Sequence, residues 1–323
     1  MTLAVFYKFL VIVGIVVLGV AVGRQRWFGP GDVGRVLSSV TFMVFAPALL
    51  FRTAARIDFA HLPWSTLVAY FGSVVAFMLV VYGLEHRKRP QNAAEPSVRA
   101  ISATFGNTVQ VGIPTATALF GEAGLSLHLT IVSLHALTLM TLLTILVEGD
   151  LARAHARRQG GNMKLGSMLL STARNTIVHP IVLPVLCGLA WNYSGVALEG
   201  PADEFLVTLG QAVVPLSLFA IGMSLAHTGV RGAVRQAVRI TLFKLLVQPA
   251  IVLVAAHWLF GLSGLPLVVM VICAALPTGS NATMFSIRYH TLEQEVTTAV
   301  VLSTVSFVLA APLWIYLAGW IAP

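Results

Sequence analysis

Two short stretches place amides, hydroxyls, glycine and proline inside otherwise apolar sequence. The first is TFGNTVQVGIPTATAL, residues 104–119, with Asn107, Thr108, Gln110, Pro114 and Thr115. The second is AALPTGSNA, residues 274–282, with Pro277, Thr278, Ser280 and Asn281. Neither contains an acid or a base. No nucleophile–base pair and no HExxH pattern stands out, so an enzyme and a metal site are not expected. These residue types can hold a solute through neutral hydrogen bonds, and donors without acids favour an anion over a cation.

The surrounding chain decides what positions them. Of 323 residues, 57% are hydrophobic and 10% charged, against about 25% charged in soluble domains. Apolar runs of about twenty residues, each enough to cross a bilayer, recur along the whole length. They predict an all-α polytopic membrane protein with ten spans, approximately 3–22, 36–55, 63–84, 98–120, 124–147, 168–192, 204–226, 234–260, 264–288 and 295–321. The first is long enough to span. Gly23 and Arg24 follow it rather than a cleavage pattern, so it reads as a membrane helix and not a signal peptide.

The two polar stretches fall in the fourth and ninth spans. Backbone in lipid must satisfy its own N–H and C=O groups. Pro114 and Pro277 lack an N–H and clash with the preceding turn, and the glycines weaken the helix further. Each of these spans is therefore predicted to be two half-helices joined by an unwound piece. Secondary transporters hold substrate and ions at such places. The run from Pro47 to Phe51 in the second span is echoed from Pro215 to Phe219 in the seventh. Five spans per half invert the second copy, so 1–147 and 167–323 read as inverted repeats around a short loop at 148–166, with the breaks crossing near mid-membrane.

Half-helix N-termini carry unpaired N–H groups and about half a positive charge. They would draw a carboxylate, with Asn107, Thr108, Thr115, Thr278, Ser280 and Asn281 adding neutral hydrogen bonds. Half-helix C-termini and unwound carbonyls could hold sodium. Coupling to H+ or Na+ stays open at this point, and no other cofactor is expected.

The net charge is +8, from 20 Lys and Arg against 12 Asp and Glu. Sixteen of the twenty cations lie at the ends reached after odd-numbered spans, Arg87, Lys88, Arg89, Arg157, Arg158 and Arg235 among them. Lys8, Arg52 and Arg56 lie on the other side. The positive-inside rule makes the basic side cytoplasmic and puts both termini outside. The basic loops then set topology and meet lipid headgroups, and no nucleic-acid partner is expected. Lys244 lies within the eighth span, with Gln248 one turn on. It reads either as a side chain snorkelling to the headgroups or as a charge that draws an anionic substrate. His135, mid-way along the fifth span with His128 on the same face, reads as a hydrogen-bonded core residue or as part of a proton relay. Cys187 and Cys273 read as small buried hydrophobes.

NTVQVGIP and AALPTGSNA resemble the broken fourth and ninth helices of the auxin efflux carrier family. FAPALLF in the second span, KLLVQP in the eighth and the closing run from Val296 to Leu317 resemble it too, in order along the whole chain. That family includes plant auxin exporters and bacterial malonate and malate carriers. The resemblance implies a fold related to the bile acid–sodium symporters. Spans 1, 2, 6 and 7 would form a scaffold, often dimeric, and spans 3–5 and 8–10 a transport domain that slides like an elevator. It implies that the crossing at Pro114 and Pro277 holds the substrate carboxylate, with Asn107 and Asn281 as side-chain contacts. The short middle loop fits a bacterial-type inner-membrane carrier. His179 stands before Pro180 where relatives commonly carry Asn. A carrier of small organic anions is the expectation. A sodium-coupled symporter, with Gln110 the one candidate ligand, and a non-transporting carboxylate receptor are the alternatives.

Overall fold

The computed structural model describes residues 3–25, 33–56, 63–88, 91–159, 182–227 and 234–321. These residues form helices and connecting turns, with no strand among them. In chain order the helices are α1 (Leu3–Gln25), α2 (Val33–Val40), α3 (Ala46–Ala55), α4 (Trp64–Arg87), α5 (Glu95–Thr104), α6 (Ile113–Gln159), α7 (Val182–Tyr193), α8 (Pro201–His227), α9 (Val234–Leu242), α10 (Gln248–Val254), α11 (Gly264–Ala275), α12 (Ser280–Arg288) and α13 (Glu293–Ile321). Wide π turns at Thr41–Phe45 and Phe243–Val247 join α2 to α3 and α9 to α10 without breaking the rod. Among the described residues, six helical stretches are long and apolar enough to cross a membrane. By contrast α5, α11 and α12, with 10, 12 and 9 residues, are each too short to span alone.

Local signals fix the helix ends. Pro201 opens α8, with Asp203 and Glu204 in its first turn, and Glu293 and Glu295 open α13. Proline is tolerated at the first helical position, and acids there complement the helix dipole. His86 and Arg87 close α4 with the opposite charge.

The helices pack in two groups. α1, α2 and α3 lie on α8, and α3 also on α7; α4 lies on α5, while α9, α11 and α12 pack on α13. α6 touches both groups. In the first group backbones meet directly. A Cβ on Gly19 would sit 2.3 Å from the Phe219 carbonyl oxygen, and one on Gly222 2.1 Å from that of Val16. Small residues allow this approach where lipid gives helices no hydrophobic reason to associate. The second group is tied at its basic end by charge. Buried Glu85 of α4 accepts from Lys88 at 2.7 Å, from Arg239 of α9 at 2.6 Å and from Arg99 of α5 at 3.3 Å. Arg99 also forks onto Glu295 of α13, at 2.9 and 3.1 Å.

At the middle loop the helix outruns the span. The fifth span was read as ending near 147, and α6, which is not helical at Gly121 (φ 65°, ψ −157°) between the fourth and fifth spans, continues to Gln159. Asp150 is bonded to Tyr82 at 2.7 Å and to Arg153, three residues on, at 3.2 Å. Such spacing supports a helix past the lipid rather than ending it. The rest of that loop and the first part of the sixth span, with His179 and Pro180, lie outside the described residues.

Candidate functional site

The chain leaves α5 at Phe105, whose ψ of 108° is extended, and re-enters a helix through a π turn at Thr108–Gly112 capped by Asn107. It leaves α11 at Leu276 (ψ 147°) and starts α12 after Gly279 (ψ 152°). The two unwound pieces lie side by side and antiparallel, with Gly106 paired to Thr278. Asn107 N–H donates to the Pro277 carbonyl at 2.8 Å, and Gly279 N–H to that of Phe105 at 2.9 Å. Each break thus satisfies backbone groups that the other leaves unpaired, which unwound backbone in an apolar core requires. A Cβ at Gly279 would meet the Gly106 carbonyl oxygen at 3.0 Å, so a side chain there fits only if the facing backbone gives by a few tenths of an ångström.

Pro114 is not at the crossing. It is the second residue of α6, beyond the π turn, while the unwound residues are 105–107. The π turn at Thr108–Gly112 runs straight into α6, so Pro114 lies inside the helical run, and the widened turn before it accommodates the ring and the missing N–H. Pro277 does lie in its unwound piece. Mutual pairing with the second break, rather than a proline, marks where the fourth span opens.

The two sides of the crossing differ. On the side of the C-terminal half-helix ends, Lys244 is fully buried and its ammonium donates to the carbonyl of Ala274, in the last turn of α11. Gln248 Nε2 donates at 3.0 Å to the carbonyl of Thr104, the last residue of α5. Lys244 therefore does not snorkel. It and Gln248, one turn apart, close the negative ends of both half-helices.

On the side of the N-terminal ends, a small pocket is lined by Phe42, Asn107, Thr108, Ser280 and Asn281 with backbone of both breaks, closed by Val132 and Ala136 of α6. No charged side chain lines it. Its volume of about 20 Å³ admits roughly one water-sized solute. Asn107 is held in place: its Oδ1 accepts from Gln110 N–H at 3.2 Å and its Nδ2 donates to Gln110 Oε1 at 3.3 Å. The Oδ1 of buried Asn281 has no partner among the described residues.

The remaining residues singled out in the sequence surround this pocket. Gln110 orients Asn107. Thr278 staples the crossing, donating from Oγ1 to the Ser102 carbonyl at 2.9 Å and from N–H to Ser303 Oγ at 3.0 Å. Thr115 is buried on α6 away from the pocket lining, its hydroxyl unpartnered among the described residues. His128 donates from Nε2 to the Thr108 carbonyl at 2.8 Å and so props the π turn. His135 lies behind Phe105, with Nδ1 3.4 Å from Tyr70 Oη, which accepts from Cys273 at 3.3 Å. The other ring nitrogen, Nε2, has no partner among the described residues. Phe42 and Ser303 were not anticipated, and nothing in the local sequence marks them. Gln248 carried a signal, an amide one turn from a lysine in an apolar helix, but its partner 144 residues away is a tertiary fact.

Against known proteins, residues 4–315 match the family model described as membrane transport protein. A Rhizobium meliloti (strain 1021) protein named "Putative malonate transporter" is 21% identical over 289 residues, covering 89% of this chain and 88% of that one. "Uncharacterized transporter YfdV" of Escherichia coli (strain K12) is 26% identical over 315 residues, covering 94% and 95%. An "Uncharacterized transporter" of Methanothermobacter thermautotrophicus is 23% identical over 280 residues, covering 86% and 87%. With a family match over nearly its whole length and apolar helices to cross a bilayer, the chain is an integral membrane protein that belongs to the membrane transport protein family, the auxin efflux carrier family that its broken helices resemble.

Proposed function

We propose that the protein is a secondary carrier of small organic anions, dicarboxylates such as malonate or malate foremost, working by elevator-type alternating access. One observation carries this reading. The two N-terminal half-helix ends meet at a pocket with amide and hydroxyl side chains and no acid, while the C-terminal ends on the far side are closed by Lys244 and Gln248. The pocket is polarised for a carboxylate. Asn107 and Asn281 are its side-chain contacts, with Thr108 and Ser280 beside them. A half-turn of the Asn281 amide about its last torsion offers Nδ2 to the anion. The solute enters as Phe42 withdraws, because the pocket is smaller than any carboxylate.

The packing supports the moving parts of this reading. The group α1, α2, α3, α7 and α8 is the scaffold, on which a homodimer would form. The other helices are the transport domain, joined by the Glu85–Arg99–Glu295 network so that they move as one body. In this reading ten spans form two inverted five-helix repeats, residues 1–147 and 167–323, α5–α6 and α11–α12 are the broken fourth and ninth, and both termini face outward. Sodium coupling ranks below this, because an ammonium already occupies the carbonyl end where a small cation would bind.

The test is uptake of labelled malonate, malate and indole-3-acetate into proteoliposomes. Uptake of a dicarboxylate that Asn107→Ala suppresses is the expected result. Folded protein that moves none of the three would sink the proposal.

A further inference from the structure

The pocket at the crossing is not the largest space in the molecule. A cavity of about 980 Å³ opens between α3 and α8 on one wall and the start of α6 on the other. Its lining includes Arg52 and Arg56 of α3, with Thr117, Ser126 and Thr130 of α6 facing them and Gln211 of α8 beside. Arg52 and Arg56 are two of the three cations assigned to that side of the chain, and both line this one cavity.

The two guanidiniums share a single carboxylate. Arg52 forks onto Asp203, Nε to Oδ1 at 2.7 Å and Nη2 to Oδ2 at 3.2 Å, and Arg56 reaches Oδ2 at 2.8 Å. Two positive charges against one leave the α3 side of the cavity locally positive. Glu122, on the facing wall, offsets this across the cavity, and both Glu122 and Arg56 are exposed, so at longer range these charges are screened and the guanidinium pair acts at contact. A guanidinium forks onto a carboxylate with matched geometry, and an incoming carboxylate competes for what Asp203 now holds.

The cavity also points at the crossing. Its wall runs from Arg52 to Leu49 on α3, and Phe42, which lines the small pocket, lies seven residues further down the same rod, roughly 10 Å at 1.5 Å per residue. On α6, Leu129 lines the cavity and Val132, the next turn, lines the pocket. The two spaces are stacked along the same pair of helices. At 980 Å³ the upper one is too roomy to fit a small dicarboxylate closely and works as a solvated vestibule.

We propose that this cavity is a second, weaker anion site, in which Arg52 and Arg56, tempered by Asp203, collect carboxylates on their way to or from the crossing. This rests on the carrier reading for its purpose but not for its test. Equilibrium binding of labelled malonate to the purified full-length protein, at ionic strength matched with chloride, separates the two. The expected result is a weak component that persists in Asn107→Ala. Its affinity falls roughly tenfold in Arg52→Gln and recovers most of that loss in Arg52→Lys. It rises about threefold in Asp203→Asn, which frees the guanidiniums. A bridge that only holds α3 to α8 is broken equally by Arg52→Gln and Asp203→Asn, so shifts in the same direction overturn the proposal. So does the absence of any malonate binding in folded Asn107→Ala. An Asn107→Ala protein that binds like the unaltered one, with the arginine effects intact, overturns the crossing as the strong site and supports the vestibule.

Discussion

The two faces of the crossing are built from the same four half-helices, yet one is closed and the other open. At the C-terminal ends, carbonyls of Ala274 and Thr104 are taken by Lys244 and Gln248 from one helix. At the N-terminal ends, Asn107 is steadied by Gln110 and Asn281 keeps an unpartnered oxygen. A buried polar atom without a partner is costly, and among the described residues each face keeps one, Gln248 Oε1 beside the carbonyl ends and Asn281 Oδ1 at the pocket, so the contrast lies in the half-helix ends themselves: the carbonyls are taken by side chains and the N–H ends face a cavity. The difference also separates charge: the basic side chain at the crossing, Lys244, lies on the C-terminal face, and no charged side chain lines the pocket on the other.

Substitutions at four positions would break or sharpen this contrast. The largest effect is expected from Lys244→Met, which strips the Ala274 carbonyl of its charged donor. A destabilisation of roughly 2–3 kcal/mol is expected, read as a fall in thermal midpoint. Sodium should stabilise Lys244→Ala but not the unaltered protein. Stabilisation of the unaltered protein by sodium over choline would mean that the closed face is not closed. Next comes Asn107→Ala. Losing a desolvated amide should weaken dicarboxylate binding by roughly 1–3 kcal/mol, measured by calorimetry with the fold checked by circular dichroism; unchanged affinity removes Asn107 from the site. Gln248→Leu orphans the Thr104 carbonyl and should lower stability by about 1 kcal/mol while leaving substrate affinity nearly unchanged. A large affinity loss there would show that the two faces are not independent. The smallest effect, and the one of opposite sign, is expected from Asn281→Ala. Removing an unpartnered buried oxygen should leave the ligand-free protein as stable or up to about 1 kcal/mol more so, yet weaken the substrate's protection against heating. Lower stability without ligand would mean that Asn281 serves the fold rather than the site.

Much of the site was legible in the sequence. Asn107, Thr108, Ser280 and Asn281 stand out because amides and hydroxyls are expensive in an apolar span, and all four line the pocket. Pro114 misled because a proline can be accommodated without unwinding: the helix widens into the π turn at Thr108–Gly112 just before it. The length of α6 beyond the fifth span was not legible from hydropathy, which marks where lipid ends and not where the helix does; Asp150 and Arg153 pair along it.

The residue types along the chain were enough to determine that it enters a bilayer repeatedly, that two of its spans are interrupted, and that the interruptions offer hydrogen bonds without charge. Those are local properties, set by how each side chain partitions between water and lipid. Which residues actually unwind, which half-helix ends are closed and which remain open were decided only in three dimensions. Gly106 meets Thr278 and Gln248 meets Thr104 across more than a hundred residues of chain, and no property of either segment alone contains its partner.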